Sequence, residues 1–173
     1  HLLPTNVSKL KEADGFYGRV VEPMIELKSR PDADSPSVGR LFEDAVVVWL
    51  REVVGNNPYR QNQRWIETPD GYIWSPLVQP VRYAENPPLT ELPSSSRGPG
   101  MWVEVTTPFI DVILDNELPF GPRVKYLLEN NRLPRLYYSQ IMWADQTRTD
   151  EAGAVWYRLI EPYGSYGDRF WGQ

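Results

Sequence analysis

No cysteine occurs among the 173 residues, and the one histidine is His1, at the very start. These absences exclude disulfides, thiolate metal sites and a cysteine nucleophile. They also exclude histidine-dependent serine triads and zinc sites built on internal histidines. No apolar run approaches the roughly 18 to 20 residues that a bilayer-spanning helix needs. The net charge of -5 leaves no basic stripe to lie along phosphates, so nucleic acid is not an expected partner. No glycine-rich phosphate loop follows a strand, and Gly98-Pro99-Gly100 falls in a proline-rich stretch. Neither cofactor nor metal is expected. The opening HLLPTNVSKLKEADG has no charged segment ahead of an apolar run and does not read as a signal peptide.

Carboxylates are plentiful, with Asp32, Asp34, Glu43 and Asp44 forming the densest early cluster. A glycosidase needs two carboxylates facing each other across a cleft, one with a raised pKa. Small β-modules offer no obvious cleft of that kind, so the cluster reads as solvated loop charge, with calcium binding or catalysis as the alternative. No catalytic residue is assigned.

Aromatic side chains are abundant, with seven Trp and ten Tyr, which rules out a disordered chain. Short runs such as YGRVVE, MIELKS, AVVVWLREVV and RWIET are rich in β-branched and aromatic residues and are broken by Gly, Pro, Asn and Asp. Gly55-Asn56-Asn57-Pro58 reads as an interstrand loop, and Pro69-Asp70-Gly71 as a tight turn. Residues 1–15 form a polar lead-in. Residues 84–100, AENPPLTELPSSSRGPG, read as a semi-rigid linker, since four prolines defeat both ladder and helix. The linker separates segments 16–83 and 101–173.

The two segments resemble each other. Val20-x-x-Pro23-x-Ile25-Glu26-Leu27 corresponds to Val105-x-x-Pro108-x-Ile110-Asp111-Val112, and Arg40-Leu41-Phe42 to Arg135-Leu136-Tyr137. Val47-Val48-Trp49 is matched with Ile141-Met142-Trp143, and Trp65-Ile66 with Trp156-Tyr157. Each copy ends on aromatics, Tyr72 and Trp74 in the first, Phe170 and Trp171 in the second. Order and chemistry are kept while loop lengths drift, as in a duplicated domain. Five or six short strands in about 65 residues suit a small closed sheet, which leaves few exposed edges. The expected fold is all-β: two tandem small barrels joined by the proline-rich linker. The second copy ends just after an aromatic strand and reads as one strand short of closure.

Trp49, Trp65, Trp143 and Trp156 occupy repeated strand positions and are expected in the cores. Tyr59, Tyr72, Trp74, Tyr83, Tyr163, Tyr166, Phe170 and Trp171 are the candidate ligand-binding residues. Aromatic grooves of this kind hold extended peptides or glycans, because flat rings give contact area with little rotamer loss. Packing between the barrels is the alternative use of the same rings.

The run GRVVEPMIELKSRPDADSPSVGRLFEDAVVVWL followed by RWIETPDGYIWSPLVQPV resembles a bacterial SH3-like domain. With VEVTTPFIDV, RLPRLYYSQIMW and AVWYRLIEPYG following in order, residues 16–173 resemble the region ahead of the catalytic domain in certain secreted L,D-transpeptidases, which cross-link peptidoglycan. The family's catalytic signature joins a histidine to a Ser-His-Gly-Cys element, and nothing here matches it. The resemblance therefore implies a non-catalytic module outside the cytoplasm that binds peptidoglycan or its stem peptides, with a catalytic domain expected beyond Gln173. The other reading is a scaffold that docks a polypeptide partner and does not touch the wall.

Overall fold

The structure is a computed structural model that describes residues 15–96, 98–160 and 166–173. Among them the architecture is predominantly β with one short helix, and the chain divides into two compact units, His1–Tyr83 and Ala84–Gln173.

Unit 1 contains β1 (Tyr17–Val20), β2 (Met24–Lys28), β3 (Ser37–Phe42), β4 (Val46–Val48), β5 (Arg51–Val54), β6 (Arg64–Thr68), β7 (Gly71–Trp74), a 3-10 turn at Ser75–Leu77 and β8 (Val78–Val81). They form a five-stranded sheet in the order β3-β2-β7-β6-β5 and a three-stranded sheet in the order β4-β1-β8. Among the described residues the expected closed barrel is not found. The ladder stops between β4 and β5 at Trp49–Leu50, and β2 meets β7 through one residue pair, Lys28 with Tyr72. The core lies between the sheets and is built from Val20, Ile25, Leu27, Leu41, Ile66, Ile73 and Val78. These are the alternate residues of each strand, as a half-buried sheet requires. At the β6–β7 turn Gly71 has φ 148°, and a Cβ there would lie 2.7 Å from the Lys28 carbonyl oxygen.

Unit 2 contains β9 (Ser94–Ser95), β10 (Gly98–Pro99), β11 (Met101–Glu104), β12 (Phe109–Asp111), β13 (Ile113–Leu114), helix α1 (Pro122–Glu129), β14 (Arg135–Tyr137), β15 (Ile141–Thr149), β16 (Val155–Ile160) and β17 (Arg169–Gly172). Its main sheet runs β11-β15-β16-β17-β13, beside the pairs β12-β14 and β10-β9. Here too no sheet closes among the described residues. Val105, Val112, Leu136, Met142, Ala144 and Leu159 form the core.

The repeat read from sequence has a structural counterpart in one set of backbone hydrogen bonds. In unit 1, Val20 N–H donates to Ala45 O at 2.9 Å, Asp44 N–H to Val20 O at 3.0 Å and Glu43 N–H to Pro23 O at 3.3 Å. In unit 2, Val105 N–H donates to Gln140 O at 3.0 Å, Ser139 N–H to Val105 O at 2.9 Å and Tyr138 N–H to Pro108 O at 3.1 Å. Asp44 and Ser139 share a left-handed φ, 67° and 66°. Ile25 opposes Leu41 as Ile110 opposes Leu136. One equivalence shifts by a residue: Val46 opposes Arg19 and Ile141 opposes Glu104, so Val47 matches Met142 and Trp49 matches Ala144. Aligning tryptophan with tryptophan places them on opposite faces, since a one-residue slip reverses every side chain.

Consequently only Trp65 of the four expected core tryptophans is fully buried. Trp49 is half-buried against the first core. Trp143 packs edge-on against Trp102, with centroids 5.3 Å apart, and Trp156 donates its indole N–H to Asp150. That bond is the main reason the Asp150 carboxyl sits below its ordinary pKa.

The proline-rich residues 84–100 are bound along unit 2. Ala84 N–H donates to Thr106 O, Tyr157 Oη exchanges hydrogen bonds with both backbone groups of Leu89, Thr147 donates to Thr90 O, and Gly100 N–H donates to Pro93 O. Leu92 packs on the second core. Among its described residues the stretch also makes a two-residue ladder of its own, β9 with β10.

Asp44 is not a solvated loop charge. It is buried and takes an Arg19 N–H at 2.6 Å, while the same guanidinium donates twice to Gln79. In unit 2 the equivalent couple is the exposed Ser139 hydroxyl donating to Glu104. Removing one member of a buried ion pair strands the other charge, at a cost of about 3 to 5 kcal/mol. Arg19→Met is therefore expected to destabilise unit 1 by about 3 kcal/mol, and Glu104→Gln to change unit 2 by under about 0.5 kcal/mol. Urea unfolding followed by resolved NMR signals of each unit checks this, and equal effects of the two changes would contradict it.

Candidate functional site

Two surfaces concentrate chemistry, one in each unit. In unit 1 the β2–β3 loop (29–36) and the β5–β6 loop (55–63) are joined by backbone bonds, Asn56 N–H to Pro31 O at 2.8 Å and Ala33 N–H to Asn56 O at 3.0 Å. Gly55 makes the contact feasible, since a Cβ there would fall 2.0 Å from Pro31 O and 2.4 Å from Trp65 Cδ1. Trp65 and Trp74 are cross-strand partners on the face opposite Ile66 and Ile73. Trp65 is sealed beneath Gly55, whereas Trp74 and Tyr72 stay half-buried.

The β5–β6 loop is stiffened by Gln63, whose amide donates to Asn57 O and Arg60 O and accepts from Asn57 N–H. From this rigid loop Tyr59 projects with 74% of its surface exposed, its hydroxyl 3.4 Å from Asp34 Oδ1. Arg60 lies 5.9 Å from the Trp74 ring centroid, and Trp74 Nε1 donates to Asn62 O at 2.8 Å. One loop therefore ties Tyr59 to Asp34 at one end and frames Trp74 at the other. Tyr72 lies between Lys28 and Glu67 on the neighbouring strands. Tyr83 follows β8, which belongs to the other sheet of the unit.

The candidate aromatics of unit 2 are spread differently. Phe170 packs on the core. Trp171 is buried, donates Nε1–H to Asp115 at 2.7 Å and lies under the Arg148 guanidinium at 4.3 Å. Tyr166 is 68% exposed, and Tyr163 lies outside the described residues. Around Trp171 runs an ionic network: Arg158 grips Asp145 with two bonds of 2.8 and 2.7 Å, and both Arg158 and Arg169 approach Asp115. The β-bulge between Ala144 and Gln146 brings Asp145 to this position. Its hydrogen bond is the chief reason the Arg158 pKa is raised further.

The second surface was not anticipated from the sequence. Between β13 and β14, unit 2 carries twenty residues (115–134) where unit 1 carries eight (29–36) between β2 and β3. The longer segment holds α1, which begins with Gly121-Pro122 and ends in a Schellman motif at Asn131, whose φ is 55°. Asp168, itself buried, accepts from Phe120 N–H at 2.9 Å and Gly121 N–H at 2.8 Å, fixing the helix entry to the segment before β17. Beside α1 lies a cleft of about 260 Å³, lined among others by Arg123, Arg132, Arg135, Asp111, Leu127 and Tyr137. Arg135 donates to Asp111 at 2.7 Å and stands 4.3 Å over the Phe109 ring. No group of three or more His, Cys, Asp or Glu side chains suited to a metal ion occurs among the described residues.

Comparison with protein families, with curated proteins and with solved structures finds no match to this chain.

Asp168→Ala is expected to release the helix entry, because it removes the carboxylate that accepts from two backbone N–H groups at once, at about 1 to 2 kcal/mol. Amide hydrogen exchange should quicken across residues 120–129 and remain unchanged in unit 1. Uniform quickening of both units would contradict this assignment.

Proposed function

We propose that this chain is a ligand-binding module that performs no catalysis of its own. More particularly, it is a binding and positioning module of the bacterial cell envelope that holds peptidoglycan through its stem peptides or glycan. The observation that carries this reading is Tyr59, a largely exposed ring on a stiff loop, tethered to Asp34 and set beside the Arg60–Trp74 pair. A ring already held in place loses little freedom when a ligand covers it. A carboxylate at one end and a guanidinium at the other suit a peptide bearing both an amine and a carboxylate.

On this reading the two units are SH3-like modules, acting outside the cytoplasm and accompanying an L,D-transpeptidase catalytic domain. The resemblance of segment 16–83 to a bacterial SH3-like domain and the repeated hydrogen-bond set around Val20 and Val105 support it.

The intact chain is expected to co-sediment with insoluble peptidoglycan. Tyr59→Ala and Trp74→Ala should each weaken that binding by about 1 to 2 kcal/mol, with circular dichroism unchanged. A chain that stays in the supernatant at low and high salt, yet retains a polypeptide partner in a pull-down, would replace wall binding with the scaffold role.

A further inference from the structure

We propose that the seam between the β2–β3 and β5–β6 loops of unit 1 opens to admit an extended peptide, one of whose carbonyl oxygens accepts a hydrogen bond from the Trp65 indole. On the reading of Tyr59 as part of a ligand site, on which this rests, the ligand is then held by its peptide backbone and is not a glycan.

Trp65 is the residue that points to a ligand. Its side chain is 2% exposed, and its Nε1–H finds no hydrogen-bond partner among the described residues. A buried donor without an acceptor is costly, and a buried indole N–H ordinarily has one. Apolar bulk alone does not require an N–H at this position. The donor lies beneath the seam: the place a Gly55 Cβ would take is 2.7 Å from Trp65 Nε1 and 2.0 Å from Pro31 O. Glycine is therefore what lets the two loops close over it.

Each loop is stiffened by its own bonds. Gln63 ties Asn57 to Arg60 in one loop. In the other, the buried Ser35 hydroxyl accepts from Arg30 N–H and donates to Arg30 O, while Asp32 accepts from Ser35 N–H and Asp34 N–H. Across the seam run two backbone bonds, Asn56 N–H to Pro31 O and Ala33 N–H to Asn56 O. The side-chain contacts that join them are long, Asn56 Nδ2 to Asp32 at 3.5 Å and Tyr59 Oη to Asp34 at 3.4 Å. Two bodies that are stiff within and lightly joined part along the join. Tyr59 stays held as they do so, because Gln63 braces its loop independently of the seam.

Opening frees Pro31 O, Ala33 N–H, Asn56 N–H and Asn56 O, and uncovers Trp65 Nε1–H. These are three donors and two acceptors. A polypeptide in extended form presents the matching N–H and C=O groups along its edge, as in strand addition. A glycan has no such repeat. The apolar floor is Trp65 with its cross-strand neighbour Trp74, and Tyr59 stands at the rim. A ligand acceptor on Trp65 would remove the cost that the closed seam carries.

The test is NMR of the intact chain, with the Trp65 indole resonance assigned through Trp65→Phe. In the free protein this N–H should exchange with deuterium at least about tenfold faster than the slowest amides of β6, because the seam opens without unfolding the sheet. Equal rates would overturn the proposal. Titration with Nα-acetyl-lysyl-alanyl-alanine should move the Trp65 indole resonance together with those of Tyr59 and Trp74, and triacetylchitotriose should leave it in place. Movement of Tyr59 and Trp74 without Trp65 overturns this assignment and leaves the Tyr59 reading standing, whereas no movement with either probe removes both. A Trp65 response to the sugar alone also overturns it. Trp65→Phe should weaken peptide binding about threefold to tenfold, the loss of one hydrogen bond. Gly55→Ala wedges the seam apart and touches no donor, so it should quicken the indole exchange and tighten peptide binding, since the opening no longer has to be supplied by the ligand. Weaker binding by that variant with the sheet intact would count against the proposal.

Discussion

Both units depend on one backbone crossing, where Val20 at the end of β1, or Val105 just after β11, is gripped on both its N–H and its C=O by the turn leading into the next strand of the core. The grip requires a left-handed residue at that turn, Asp44 in one unit and Ser139 in the other. Polar residues of this kind tolerate that conformation better than branched ones do. Once it is made, Ile25 must oppose Leu41 and Ile110 must oppose Leu136, because the crossing sets the register of the strands that follow. The side chains that decorate it are free to change. Arg19 and Asp44 form a buried ion pair, and Glu104 and Ser139 form an exposed hydrogen bond at the same two positions. Backbone geometry is conserved between the copies while the chemistry of the couple is exchanged.

The sequence made this crossing legible because its requirements are local and repeated: a β-branched residue, a proline three places on, then alternating apolar residues. The match between Val47-Val48-Trp49 and Ile141-Met142-Trp143 slipped because residue identity pulled against periodicity. Trp49 shares its face with Val47, whereas Trp143 sits between the core residues Met142 and Ala144 and faces away from them. Burial follows the alternation and not the residue name. The proline content of 84–100 was read as defeating any ladder, yet β9 and β10 pair there over two residues, Pro99 included, and the same content could not show that Leu89, Thr90 and Leu92 find partners on the second unit. Such contacts link residues more than fifty positions apart, and no local pattern encodes them.

Site residues divide along the same line. Tyr59, Tyr72 and Trp74 remain at least partly accessible because the loops over that face cover only Trp65. Phe170 and Trp171 carry an equally aromatic signature, yet the core takes one and the Asp115–Arg158 network takes the other. Aromatic content cannot distinguish these fates, since both depend on what a distant carboxylate or loop does. Helix α1 had a signal that was readable: Gly121-Pro122 at the start and apolar residues at 124, 127 and 128, the spacing of a helix face. Its eight residues were outweighed by the surrounding β pattern.

The two units differ strongly at one place, the connection after β2 in unit 1 and after β13 in unit 2. A connection between fixed strand ends can lengthen at small entropic cost, since closure entropy grows only logarithmically with length. Unit 1 keeps this connection short and presses it onto the β5–β6 loop, so its backbone is consumed in holding Tyr59 and Trp65 in place. Unit 2 lengthens it, folds the added residues into α1 and ties them down with Asp168, leaving arginines on the helix face and at its exit. A single connection, short in one unit and long in the other, thus separates an aromatic surface from an arginine-lined one. The two surfaces stand on the same crossing without sharing a side chain, and each can change without disturbing the strands that position the other.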